Sequence, residues 1–493
     1  MTQGPQVTCL RKASLTLVAS LIPGLAGAVE HRYEITVNES LSRLSVEARF
    51  SEQVYRIRAG SRRAEGYLSN ARECGSGDRL RTDGSLLDLP ADGIRCLTYD
   101  VDLGQAAADE RRNRDLDSGN IMVSPSRWMW RPELDGRTTI RAHFVLPDGM
   151  RVSLPWGAVD GQPSTFLLGA SPESASAPAI FGRFDYREIE IRGAVLRVAL
   201  PDSGARYDVD KILAWLEATA TDVALMYGRF PNPSPLVVVM PRRGGFSWRS
   251  TSPVPFGRVT RNGGEAVELF VNPDRPLSEF LDDWTATHEF SHLGVPYLNS
   301  RARWVSEGFA QYYQNILLAR SGAYDEERAW QKLWTGLDRG SKSMPDFSPN
   351  AVASERNRGG RMKLYWSGAA LALLADVEWR RRSDGEESLD LALDRLQDCC
   401  LPGTTVWTGR EFVTRLDELV GGEPVITPLF DAMADSPGFP EFATTLEQLG
   451  VIIDGEDVRI REGAPLSDLR KSLTRQDAAT AAWRRSLDAA ESD

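Results

Sequence analysis

The sequence predicts an α+β chain of several domains, and three observations carry that expectation. Between Val29 and about Asp202 the apolar residues recur with period two; after Pro201 the period moves to about 3.6; and inside the second region lies the pentapeptide His288-Glu289-Phe290-Ser291-His292. The chain has 493 residues and a formal net charge of −11. That length is enough for more than one core, and that charge makes nucleic acid an unlikely partner. No internal repeat is visible.

Residues 1–28 begin with Arg11 and Lys12, continue with an apolar stretch from Ala13 to Leu25, and end in Ala26-Gly27-Ala28. This reads as a cleavable signal peptide, with an apolar core too short to span a bilayer. No later stretch reaches the roughly 18 to 20 apolar residues that a membrane helix needs. The mature protein is therefore expected to be soluble and exported, either periplasmic or secreted. Cys9 leaves with that segment. Of the remaining four cysteines, Cys74 and Cys96 make the favoured local disulfide and Cys399-Cys400 are adjacent; four buried thiols are the alternative.

From 29 to 202 the alternation is that of half-buried strands. Leu44, Val46, Ala48 and Phe50 form one set, Ile140, Ala142 and Phe144 another, Ile189 and Ile191 a third, and Leu196, Val198 and Leu200 a fourth. Strands broken by Gly, Pro and Asp turns over this length describe a β-sandwich or saddle. His31 and His143 fall here and read as ordinary surface or core histidines.

After Pro201, Ile212, Trp215, Leu216, Thr219, Val223 and Tyr227 mark one helix face, with Gly228 as its C-terminal cap. Leu236 to Met240 and Ala266 to Val271 read as buried strands. Asp274 and Pro276 then open the helix that carries the pentapeptide. In a helix, residues four apart share a face, so His288 and His292 can grip one ion. Two neutral imidazoles suit zinc, which would keep one position for water, and Glu289 lies between them to accept that water's proton. The bland alternative is an amphipathic helix that happens to hold two histidines, but the chain has only four. Gly294, Pro296 and Asn299-Ser300 stop this helix, and a second starts near Arg303. Its first turn brings Glu307, which can swing back as a third ligand to a single Zn²⁺.

His288-Glu289-Phe290-Ser291-His292 followed by Trp304-Val305-Ser306-Glu307-Gly308-Phe309-Ala310 resembles the signature of the gluzincin zinc metallopeptidases, to which aminopeptidase N and its relatives belong. The connection between the two blocks is shorter than those relatives usually show. The HEF opening and the sequel are more similar to the glycyl aminopeptidase family. That sequel is Lys363-Leu364-Tyr365-Trp366-Ser367-Gly368-Ala369-Ala370-Leu371, then Ser383-Asp384-Gly385-Glu386-Glu387-Ser388-Leu389-Asp390. The resemblance covers roughly residues 205–452. It implies a thermolysin-like catalytic domain behind a β-rich one, and an aminopeptidase acting on short peptides. It also implies that Tyr365 donates a hydrogen bond to the oxyanion, where position alone would make it a core aromatic.

Two departures from the family stand out. Where relatives carry a glutamate thought to hold the substrate amine, this chain reads Gly244-Gly245-Phe246-Ser247, and a hydroxyl cannot make the charge-assisted bond to an ammonium. The glycines and Phe246 remain candidate substrate contacts. Glu265 or Glu268 could replace the missing carboxylate, although both read more readily as exposed glutamates. The second departure follows Gly450, where 43 residues are too few for the PDZ domain that the family often appends. The expected organisation is a signal peptide over 1–28, a β-rich domain over 29–202, a catalytic domain over 203–368, a helical domain over 369–452, in which Thr408 to Glu411 form a capping box, and a polar, partly helical tail over 453–493. Peptide is the expected substrate. An endopeptidase, or a non-enzymatic envelope protein that binds peptides in a zinc cleft, are the alternatives.

Overall fold

The computed structural model describes residues 29–492 except 112, 114–115, 117–118, 174–175, 202–207, 242–251 and 355–357. The expected signal peptide and the Gly244-Gly245-Phe246-Ser247 segment lie outside the described residues. The architecture is mixed α/β, with five sheets among the described residues.

The first part is built on a seven-stranded sheet. Its centre is Val29–Val37, paired in parallel with Thr138–Val145 and antiparallel with Arg43–Val54. The alternation expected from the sequence is the observed burial: Leu44, Val46, Ala48 and Phe50 point inward with Ile140, Ala142 and Phe144. Trp128, Trp130 and Trp156 fill the same core. His31 is buried beside the Ser51 hydroxyl, and exposed His143 bonds Thr165, so neither approaches the pentapeptide's chemistry. Cys74 and Cys96 are disulfide-bonded, as are the adjacent Cys399 and Cys400.

A second sheet of five strands has the order Asp185–Ile191, Ala194–Leu200, Leu236–Pro241, Glu265–Val271, Phe256–Arg261. The middle three are parallel, and the second and third of these are buried on both faces, so Leu236–Pro241 reads as an unbroken apolar run and Glu265–Val271 as an apolar run interrupted by Glu268. Val237, Val239, Val267 and Leu269 face the helices. Leu236, Val238, Met240 and Ala266 face the other way, onto Met122, Ala177 and Ile180 of the first part.

This sheet corrects the expected division at residue 202. Asp185–Ile191 and Ala194–Leu200 alternate like the strands before them, but they pair with each other and Ala194–Leu200 then pairs with Leu236–Pro241 beyond that boundary. The division at 368 also falls inside one element, the helix Arg361–Arg382. Helices from Val209 to Leu449 share a single core with the sheet, so no packing boundary separates a helical domain from the part that carries the pentapeptide.

The expected polar tail is folded onto that core. Val451–Asp454 and Asp457–Ile460 form a hairpin, and helices follow at Ser467–Leu473 and Ala478–Ser492. Arg470, fully buried, bonds Glu326 at 2.9 Å and the carbonyls of Leu449 and Arg461. Arg484 reaches Asp222, 262 residues away in sequence, at 2.6 Å, and the Leu281 carbonyl at 2.5 Å.

Burial pushes the Asp222 carboxyl up to about 6 against the pull of Arg484. An aspartate in the unfolded chain titrates near 3.9, so between about pH 4 and 6 the folded state holds the extra proton, and this group's contribution to stability falls as pH rises. Arg484→Met removes the opposing charge and extends that decline above pH 6. Near neutral pH the variant is expected to lose about 3–5 kcal/mol, the cost of a buried carboxylate without its partner. Urea unfolding at pH 5 and pH 8 checks this: the gap to the unaltered protein should widen at the higher pH.

Candidate metal centre

The helix that carries the pentapeptide is short, Thr285–Ser291, and it does not begin at Pro276 as the sequence suggested. Pro276 opens a separate helix, Leu277–Asp282. Asp283 between them is extended, and its Oδ1 accepts the Thr285 N–H at 2.7 Å, so a capping aspartate breaks one expected helix into two. Phe290 turns into the core against Phe230, and this fixes the opposite face toward the site. On that face the His288 and His292 rings lie 4.9 Å apart at 88°.

His292 opens a 3₁₀ turn, and the chain reverses through Val295 and Pro296. Tyr297 and Asn299 are held by backbone bonds to Trp407, and the Asn299 side chain caps the turn before the helix Arg303–Arg320. Trp304, fully buried, stacks on Phe430 and bonds Asn350, which sets the rotation of this helix. The Oε2 of Glu307 consequently lies 3.5 Å from Nε2 of His288 and 3.6 Å from Nε2 of His292.

One donor atom from each of the three residues falls within 4.8 Å of the others. Four-coordinate zinc, with bonds of about 2.0–2.2 Å, separates its donors by about 3.3–3.6 Å, so the spacing between Glu307 and the imidazoles fits that ion. The chemistry of the set, two imidazoles and one carboxylate, fits it too. Ser306 Oγ contacts Nδ1 of His292 at 3.1 Å and orients the second ring. The adjacency of Ser306 to Glu307 was the only trace of this partner in the sequence.

Electrostatics follow from this packing. Burial would raise Glu307, but the two imidazoles hold its carboxyl well below the usual range. Burial would lower His288, and Glu307 and Glu289 together raise it; burial lowers His292. Glu289 behaves oppositely to Glu307: burial, with Glu307 nearby, pushes it up to about 7 against His288 and Arg258. Its neighbour is the edge strand Phe256–Arg261, where a Cβ on Gly257 would lie 2.5 Å from Glu289 Cγ. Only a glycine lets that strand pass so close.

Tyr365 arrives from the helix Arg361–Arg382 because that helix touches the Glu307 helix backbone to backbone. A Cβ on Gly308 would lie 2.2 Å from Gly368, and one on Gly368 would lie 2.1 Å from the Trp304 carbonyl. Residue 307 precedes one of these glycines and residue 365 sits one turn before the other. Burial, with the Glu307 and Glu289 charges, raises the phenol far above its ordinary value, so it keeps its proton. Its ring stacks on His288 at 5.8 Å.

The five residues His288, Glu289, His292, Glu307 and Tyr365 are thus brought together, whereas Gly244, Gly245 and Phe246 lie outside the described residues. Glu265 and Glu268 are not the exposed glutamates the sequence suggested. Glu268 is fully buried, bonded to Arg258 at 2.6 Å and to Thr260. Glu265 bonds Arg261 at 2.5 Å and Asn232 at 2.6 Å.

Comparison with known proteins agrees with this geometry. The model of the M61 glycyl aminopeptidase family matches residues 296–362, a block that contains Glu307 and lies between the pentapeptide and Tyr365. No curated protein matches the chain. Among solved structures, an aminopeptidase N family protein from Idiomarina loihiensis is similar with a TM-score of 0.58 at 16% identity, over 86% of this chain and 79% of that one. An M1 zinc metallopeptidase from Deinococcus radiodurans has a TM-score of 0.52 at 14% identity, over 84% and 94%. At such identities the likeness is one of fold. The family match and the fold together support a peptidase hydrolase.

Proposed function

We propose that this chain, similar to glycyl aminopeptidases around Glu307 and to M1 zinc metallopeptidases in fold, is a zinc-dependent metallopeptidase. The observation that carries the reading is the convergence of His288, His292 and Glu307 with Glu289 and Tyr365 on one side of them. His288, His292 and Glu307 would hold one Zn²⁺. Zinc there would polarise the scissile carbonyl and acidify the attacking water. Glu289 accepts the water's proton at its carboxylate and gives it to the leaving amine nitrogen. Tyr365, protonated, donates its O–H to the tetrahedral oxyanion. The edge strand Phe256–Arg261 beside Glu289 offers an extended peptide a surface on which to align.

The finer reading is an exported aminopeptidase acting on short peptides, with residues 1–28 as its signal peptide and a β-rich part ahead of the catalytic one. No helix among the described residues is long and apolar enough to cross a membrane. An endopeptidase is the second reading, favoured by the engagement of Glu265 and Glu268 with arginines, which removes the two carboxylates that could have replaced the family's amine-binding glutamate.

The test uses protein lacking residues 1–28, assayed for metal and incubated with short peptides, half of them N-acetylated, with products read by mass spectrometry. Free-amine peptides shortened by one residue support an aminopeptidase, and internal cuts in blocked peptides support an endopeptidase. Stoichiometric zinc without any product would sink the peptidase in favour of a peptide-binding protein. In the same assay Tyr365→Phe should keep its zinc and lose about 10²–10³ in kcat, the usual cost of one oxyanion donor. An unchanged kcat would remove Tyr365 from that role.

A further inference from the structure

Whatever peptide this site takes, most of the charges around it are paired with one another. The chain is acidic, with a formal charge of −11, yet the carboxylates near the site are engaged. Glu307 faces the two imidazoles, Glu289 is the proton carrier, Glu265 and Glu268 are bonded to arginines, and Asp283 caps the pentapeptide helix. A free α-ammonium therefore meets no uncommitted carboxylate among the described residues here.

A cation, in contrast, is at hand. Arg303 begins the helix that supplies Glu307 and lies one turn before it. Its Nε is 3.9 Å from Glu307 Oε1, too far for a hydrogen bond, and 59% of its side chain is exposed. The guanidinium thus lies beside the third of the metal-binding side chains, close enough for its charge to lower the Tyr365 phenol. Other nearby arginines are differently placed: Arg301 pairs with Asp435 at 2.6 Å, Arg258 with Glu268 and Arg261 with Glu265. Arg303 is thus an arginine beside Glu307 whose five donors are not consumed by a neighbour.

We propose that Arg303 anchors a carboxylate of the substrate, so that the peptides preferred are those bearing an acidic group next to the scissile bond, with no requirement for a free amino terminus, which favours the endopeptidase reading over the aminopeptidase one. This deepens the metallopeptidase reading and rests on it for the position of the scissile bond. The carboxylate could be an Asp or Glu side chain or the C-terminus of a short peptide, and guanidinium chemistry serves both. Because the overall charge repels anions at long range, the attraction must be local, and added salt should weaken it without abolishing it.

The test uses the zinc-loaded protein and N-acetylated peptides of one sequence in four forms: Glu or Gln beside the cut, each with a C-terminal acid or amide. Two quantities are read, kcat/KM in the unaltered protein and equilibrium binding to the Glu289→Gln variant. A charge-assisted bond predicts that one acidic form is favoured about 10- to 100-fold over its neutral partner in both readouts. The favoured form tells whether a side chain or the C-terminus is read. In Arg303→Met the ratio should fall to about one through KM, with zinc content unchanged, and Arg303→Glu should reverse it toward Lys-bearing peptides. A ratio of about one in the unaltered protein, a ratio that survives Arg303→Met, or binding only of free-amine peptides would overturn the proposal. Binding that discriminates without turnover would instead sink the peptidase reading and leave Arg303 its role.

Discussion

Glu289→Gln is expected to retain one zinc per chain and to lose about 10³- to 10⁴-fold in kcat, toward the upper end for loss of a general acid–base group. The amide has nearly the shape of the carboxyl and fits the same space against Gly257. What it cannot do is take and return a proton. Burial pushes the carboxyl up to about 7, and a zinc ion beside it would pull it back down and favour the carboxylate that accepts the proton. Metal analysis and turnover on the same preparation decide the matter. Lost zinc would assign Glu289 to holding the metal, and turnover like that of the unaltered protein would remove proton transfer from its role. If the chain only binds peptides, the exchange should leave that binding as it was.

The pentapeptide and Glu307 were legible because their geometry is local. Two histidines at helical spacing, a chain reversal at Gly294 and Pro296, and a carboxylate in the next helix need no knowledge of distant residues. The strands of residues 29–200 were legible for the same reason, since alternation reports a half-buried strand wherever it lies. Alternation does not report which sheet a strand joins. Ala194–Leu200 looks like the strands before it, yet pairs with Leu236–Pro241, a choice set by packing across the sheet.

The misjudged glutamates show the same limit at one residue. Glu268 and Arg258 are directly opposite one another in an antiparallel pair, and that register depends on the turn between Arg261 and Glu265. In the sequence they are two charges ten residues apart; in the sheet they are a buried ion pair. The tail is partly helical as expected, but its anchorage was not legible, because the partners of Arg470 and Arg484, Glu326 and Asp222, come from far earlier in the chain.

Gly308→Val should destabilise the fold by on the order of 3 kcal/mol or more, since the added atoms meet the Gly368 backbone and not a side chain able to move aside. Even one Cβ at either glycine would force the two helices apart. That separation would act on function as well as stability, because the contact sets Glu307 and Tyr365 against each other. A variant that still folds should therefore bind zinc more weakly and lose the Tyr365 contribution to kcat. Gly66→Ala is the control, as a Cβ there meets nothing within 4 Å. Thermal unfolding and competition with a zinc chelator on both variants give the outcome. If Gly308→Val melts and binds zinc as the control does, the backbone contact between these helices is not what positions the third ligand.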